Sequence, residues 1–563
     1  LLIIFLTGLV VGILLLGEQP ETLLSPEAQA SPEPVKGGIY TEALVGSLVR
    51  LNPLLSFSNA PDRDVNRLVF SGLIRFDGKG IAQVDLAENM GVSMDGTLYN
   101  FTLRKNAIWH DGEPVTADDV VFTVDLLRER GAAVPADLQE FWQNVECVKL
   151  SDDSLQFRLP EPFAPFPDYL AFGILPKHLL DGLNLEAMID SPFNLAPVGT
   201  GPYRFDSLIV ENGAIQGVSL VANEKYYGSR PYIDQIVFRY YPDSASALQA
   251  YQNNQVQGIG TITQDVLKAA LAEPELGIYT ARQPQLSMVM FNLKNQDVPF
   301  FQEVKVRKAL LKGLNRQWIV DRVLQGQAVV ADGPILPGTW AYYDELKGET
   351  YDGDAARSLL KEAGYVLASE GDVVRKNDKG VSLSFTLLHP DDEAHTRTAE
   401  FIRSSWAKLG VLVQLEPVPY DSLVRDYLEQ RTYQAALVDL NLSRTPDPDP
   451  YPFWDQAQAV GGQNYTQWES RIASDYLEQA RVSANILDRA RLYRSFQTIF
   501  VREYPALPLY YPMYTYAVDR NVQGVRAGPL FDTSDRFANA GEWYLESEQT
   551  KQNVNAPANK TSP

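Results

Sequence analysis

Cysteine is almost missing from this 563-residue chain: Cys147 stands alone. One thiol allows no internal disulfide, no CxxC metal site and no lipid-modified cysteine near the N-terminus, so stability must come from packed cores. Basic residues are also in short supply, 49 Lys and Arg against 71 Asp and Glu, for a formal net charge of −22. A field of that sign repels phosphates and anionic headgroups, which excludes nucleic acid as a partner. Catalytic signatures are absent as well. The chain has no GxSxG, HExxH or GxxxxGK[ST], and its nearest glycine pair, Gly199 and Gly201, lacks the third glycine of a dinucleotide fingerprint. No catalytic residue, metal site or cofactor is therefore expected, and a secreted hydrolase is only a remote alternative.

Apolar residues make up 45% and charged residues 21%, which fits a folded protein, and the length suggests several domains at roughly 150 residues each. Residues 1–16, LLIIFLTGLVVGILLL, carry no charge. They suit a signal peptide, with Ala28-Gln29-Ala30 as a cleavage site, or an uncleaved anchor, which needs about 20 apolar residues. Either places the remainder outside the cytoplasm, at the cell surface or in a periplasm. Residues 18–36 read as a flexible linker and 546–563 as a disordered tail.

Strand and helix periodicity is clearest from 383 to 440. Strands at 383–388, 411–417 and 433–440 alternate with helices at 392–409 and 421–430, and Gly410 stops the first helix. Such a β-α-β-α-β unit predicts a parallel sheet, whose ligands sit outside the carboxyl ends of the strands. That rule nominates His389 and the loop 441–454, NLSRTPDPDPYPFW. Tyr451, Phe453, Trp454, Tyr465 and Trp468, with Arg444, Asp447 and Asp449, suit the wall of a polar and aromatic cleft. His389 and His395 flank Asp391, Asp392 and Glu393, but their spacing fits no helical ligand pair, and a solvated helix start is the reading preferred to a metal site. Thr116 and Asp119 form a capping signal for a helix after Trp109-His110-Asp111-Gly112, which reads as a structural corner.

The run VDLAENMGVSMDGTLYNFTLRKNAIWHDGEPVTADDVVFTV (84–124) resembles the signature region of the family 5 extracellular solute-binding proteins of ABC transporters, the peptide and nickel binders. LVFSGLIRFD (68–77), SPFNLAPVGTGPYRF (191–205), ANEKYYGSRPYIDQIVFR (222–239) and VRKALLKGLNRQWIVDRVLQGQ (306–327) extend the resemblance from about Gly37 to Leu545. It implies an α/β, periplasmic-binding-protein-like fold of the class II, cluster C type: two α/β lobes, a two-strand hinge and an inserted extra domain. Lobe I would take 37–55, 190–281 and 508–545, the insert 56–189, and lobe II 282–507. The implied function is capture of a peptide, foremost an oligopeptide, by a monomer that delivers it to the transporter's permease subunits. An oligosaccharide, opine or nickel complex is the alternative cargo.

In dipeptide-binding members an Asp before the D-P-D motif holds the ligand amine, and an Arg after the first strand of the unit holds its carboxylate. Ungapped alignment puts Arg444 and His389 at these positions, so both anchors are replaced and the dipeptide pose is in doubt. Asp447 or Asp449 could still serve an amine. The expected ligand-binding set is Ser47, His389, Asn441, Arg444, Asp447, Asp449, Trp454 and Tyr465.

Overall fold

A computed structural model describes residues 34–129, 131, 134–369, 371–443, 446–526 and 528–546. The apolar segment, its cleavage site, nearly all of the tail and Arg444 lie outside the described residues. Among the described residues no helix is long and apolar enough to cross a membrane.

One strand organises the molecule. Ala506–Asp519, ALPLYYPMYTYAVD, is rich in residues that favour a pleated, buried surface, and it is buried along nearly all of its length. Its first half pairs with Gln285–Phe291 and Ala328–Val330, and its second half with Leu276–Arg282 and Gly258–Ile259. Two sheets are thereby joined edge to edge into one of 12 strands. Midway along Ala506–Asp519 the strand is only half-buried, at Pro512–Met513, where Pro512 has no N–H to give and its carbonyl accepts from Gln283 N at 2.8 Å. The strand changes partners at Pro512–Met513, and the neighbouring chain does so at Gln283–Pro284. The strand stays paired with Gln285–Phe291 as far as Tyr510 and with Ala328–Val330 as far as Pro512.

Beyond Gln285 the β-α-β-α-β unit forms as its periodicity predicts. Ser384–Pro390 pairs in parallel with Leu412–Val418 on one side and Ala435–Asn441 on the other. Helix Glu393–Ala407 crosses between the first two strands, buries Ala399, Ile402 and Trp406 against the sheet, and is closed by Gly410 at φ +79°. The second helix is shorter than expected. Tyr420–Ser422 runs into a π-turn, Leu423–Leu428, whose wider winding lets Leu423 and Leu428, five apart, both face the core.

The insert carries its own antiparallel sheet, Ala87–Val92, Leu98–Leu103, Ser154–Arg158 and Glu146–Ser151. Its apolar side chains are nevertheless continuous with those of lobe I, Trp109 and Phe157 belonging to the same buried cluster as Leu44, Phe238 and Trp543. The Trp-His-Asp-Gly corner does fix structure. Gly199 N donates to His110 Nδ1 at 3.2 Å, and His110 Nε2 lies 3.1 Å from the Gly201 carbonyl. Burial pushes this imidazole down to about 4, so it stays neutral, as that pairing requires. Gly199 and Gly201 are glycines because a Cβ would meet the Val69 carbonyl at 1.9 Å and the Leu68 carbonyl at 2.3 Å. The capping box forms too, with Thr116 N donating to Asp119 Oδ2 at 2.8 Å.

The chain's C-terminal part is tied to its beginning by a buried cation. Arg536, 1% exposed, reaches Glu42 Oε1 at 2.8 Å and Asp64 Oδ1 at 2.6 Å. Removing it strands two carboxylates in the core. Arg536→Met is expected to cost about 3–5 kcal/mol of unfolding free energy in urea titration. A loss below about 1 kcal/mol would show that the carboxylates relax into solvent.

Candidate functional site

The loop after Ala435–Asn441 enters at the carboxyl end of the parallel strands, and its acids are committed at once. Asp447, 3% exposed, forms an ion pair with Arg489 and accepts from Tyr493 Oη at 3.3 Å. Asp449 Oδ2 lies 3.1 Å from Arg481 Nη2, and that guanidinium stacks 4.3 Å above the Tyr451 ring. Arg481 and Arg489 come from helices Arg471–Val482 and Ile486–Glu503. Pro446, Pro448 and Pro450 each fix φ in this segment, Asp449 N turns back to donate to Asp447 Oδ1 at 3.1 Å, and Pro450 sits at the start of the short helix Tyr451–Trp454. The two buried charges are thus neutralised inside lobe II, and neither acid is open to a ligand amine.

In front of this loop lies a cavity of about 970 Å³. Lobe I and the insert supply most of its wall, including Phe57, Tyr227, Phe531, Asp168 and Tyr169, and lobe II adds Asn441 and Ser443. Both signs of charge are present and held in pairs. Arg63 lies 2.9 Å from Asp532, and Arg67 3.2 Å from Asp535. Deeper in, Asp85 accepts from Tyr227 Oη at 2.7 Å, while Arg104 stands 5.8 Å from the centre of that ring. Burial raises the Asp85 carboxyl despite the Tyr227 hydrogen bond and the nearby Arg75, Arg67 and Arg104. A concave, aromatic-walled space with a few fixed polar groups is the geometry of a small-ligand site.

Comparison with known proteins agrees. The family described as bacterial extracellular solute-binding proteins, family 5, matches residues 82–462. The chain belongs to this family. It is 28% identical over 537 residues to the oligopeptide-binding protein AppA of Bacillus subtilis, covering 92% of this chain and 94% of AppA. The dipeptide-binding protein of Escherichia coli is 29% identical over 517 residues, covering 86% and 91% respectively. The structure of AppA in complex with a nonapeptide superposes with a TM-score of 0.66 at 25% identity, over 92% of this chain and all of AppA.

Against this family 5 frame the expected ligand set divides. Asn441 lines the cavity, its side chain accepting from Ser443 N at 2.8 Å. Ser47 is exposed, and its carbonyl accepts from Asn59 Nδ2 at 3.0 Å, away from the cavity wall. His389 is 1% exposed, paired within the sheet and engaged through Nδ1 with the Pro390 carbonyl at 2.7 Å, so it offers no surface to a ligand. Trp454 packs edge-on against Phe500 at 4.8 Å in the lobe II core rather than in a cleft wall. Tyr465 is half-buried beneath Arg431, 4.9 Å from its guanidinium. Asp168, Tyr169 and Tyr227 line the cavity and were outside the expected set. The KYYG motif did mark Tyr227, but as scaffold, and nothing local in sequence ties Asp168 to lobe II.

His395 also departs from the solvated helix start, being 13% exposed between two carboxylates. Asp392, the N-cap, lies 2.5 Å from Nδ1, and Asp439 lies 3.1 Å from Nε2. Burial opposes protonation, but Asp439 and Asp392 outweigh it and hold the imidazolium above its ordinary range. Among the described residues no cluster of His, Cys, Asp and Glu is arranged to hold a metal. A raised histidine stabilises fully below its unfolded value of about 6.5 and loses that contribution as pH rises through its folded value. The stability difference between wild type and His395→Gln should therefore shrink from pH 6 to pH 9 in urea titrations; a constant difference would mean that folding does not change the proton affinity of His395.

Proposed function

We propose that this chain is the extracytoplasmic receptor of an ABC importer and captures a peptide, foremost an oligopeptide, between its lobes. The observation that carries the reading is the cavity of about 970 Å³, whose wall offers both charge signs and several aromatic faces. Its volume stands at the upper end of the range for small-ligand sites, which suits a ligand of several residues with charged termini. AppA, whose structure holds a nonapeptide, shares the fold over nearly the whole chain. Nothing covalent is asked of the protein. Ligand draws the lobes together about the crossing at Gln283–Pro284 and Pro512–Met513, and the closed form docks on the permease. Ligand shifts that equilibrium only by its greater affinity for the closed form. The apolar N-terminal segment serves as leader or membrane tether for a monomeric receptor that is not a lipoprotein, and the insert 56–189 is carried on lobe I.

Native mass spectrometry of ligand released from the purified protein tests this directly. Peptides are expected, and after the protein is stripped and refolded, an equimolar mixture of di- to nonapeptides should raise its melting temperature. Ligand at 100 times Kd adds about 2.7 kcal/mol of stability. Release of a saccharide, an opine or a nickel complex, with no response to peptides, would overturn the peptide reading while leaving the receptor role.

A further inference from the structure

The insert touches lobe II directly. Ala164 N donates to the Arg481 carbonyl at 2.6 Å, Trp340 N to the Lys79 carbonyl at 3.1 Å, and Asp447 N to Asp168 Oδ2 at 2.6 Å. Arg481 also stacks on Phe163 at 5.0 Å. The Asp168 contact differs from the other two in using a side chain, and in its place along the chain. Asp168 sits in the tight turn Phe166–Leu170, whose Phe166 and Leu170 are fully buried, so its carboxylate is presented on a rigid mount. Its partner amide belongs to the segment 446–449, a few residues from Asn441 and Ser443, which line the cavity together with Asp168 and Tyr169.

We propose that Asp168 is a positioning residue: its carboxylate captures the Asp447 amide when the lobes meet, so that the insert holds the ligand loop in its closed geometry. This rests on the ligand reading above for its purpose, but not for its mechanics. Lobe I thereby closes on the ligand with a second jaw, and the loop is clamped from two sides, by Arg489 and Arg481 within lobe II and by Asp168 from across the cleft.

The clamp carries a pH dependence of definite sign. In the joined state Asp168 faces Asp447 and Arg489, with Tyr493 and the Asp449–Arg481 pair behind them. Burial first, then the Asp447 charge, raises Asp168 well above the carboxylate range, against the opposing pull of the Asp447 amide and Arg489. When the lobes part, the group returns to water and to an ordinary value of about 3.9. Closure therefore takes up a proton. The closed form is favoured at low pH and weakens as pH rises from the ordinary carboxylate range through the joined-state value.

Distance measurement by electron–electron resonance on the full chain reads this without any ligand. Spin labels at Glu140→Cys in the insert and Arg491→Cys in lobe II, both exposed, are placed in a Cys147→Ser background. In that background the closed fraction should fall from pH 5 to pH 9, the closed-to-open ratio dropping by up to about tenfold for each step of one in pH. Asp168→Asn keeps an acceptor oxygen without a titrating group, and its closed fraction should be flat across the range. Asp168→Ala should lower the closed fraction at every pH and speed dissociation of the di- to nonapeptide mixture. A pH-independent closed fraction in the background, or an Asp168→Ala protein that closes as well as the background does, overturns the proposal. Loss of peptide binding in every variant, with these distance changes intact, supports the clamp and rejects the peptide reading instead.

Discussion

Everything in this molecule hangs on a strand that belongs to both lobes. Ala506–Asp519 is 14 residues long, so one continuous backbone ladder carries the sheet of lobe II into that of lobe I. A ladder resists shear and stretching but twists where a hydrogen bond is missing. Pro512 supplies that place, because its ring removes the donor at the step where Gln283 and Pro284 cross on the partner segment. On the proposed reading, two large cores keep their internal packing while they rotate against each other about this step, where the strand is only half-buried.

The loop at 446–454 shows how charge is managed beside such a hinge. Buried carboxylates are tolerated only when a cation or a set of hydrogen bonds compensates them. Arg489 and Arg481 provide this for Asp447 and Asp449, which frees the loop backbone rather than its side chains to meet what lies opposite. The cavity wall is therefore built largely from lobe I and the insert, with Asn441 and Ser443 as lobe II's contribution. The family's scaffold motifs thus do more than fold the protein: Tyr227, from one of them, stands in the wall and supports the buried Asp85.

How much of this could be read beforehand follows from the range of each interaction. The β-α-β-α-β unit was legible because its period is local: alternating Val and Leu in Leu412–Val418, a helical stripe through Ala399, Ile402 and Trp406, and Gly410 as a stop. The Trp109–Gly112 corner and the Thr116 cap were legible for the same reason. His389 misled because a position at the end of a strand can be either rim or interior, and only the packing of the neighbouring strands decides. Trp454 misled through composition, since an aromatic after a cleft loop packs as readily on Phe500 as on a ligand. The partners of Asp447 lie at 489 and 168, far away in sequence and on different domains, and no local pattern announces them. The second helix winds as a π-turn over Leu423–Leu428 and stops before Arg431, which takes a left-handed φ of +58°.

The central claim is that the two lobes close about the shared strand when the cavity is filled. Small-angle X-ray scattering of the stripped, refolded protein, before and after addition of the peptide mixture, measures this as a change in overall size. The radius of gyration is predicted to fall on binding, with the scattering curve of the filled protein matching the arrangement in which Asp168 reaches Asp447. An unchanged radius of gyration at saturating peptide would contradict closure about the hinge and leave the shared strand as a rigid beam.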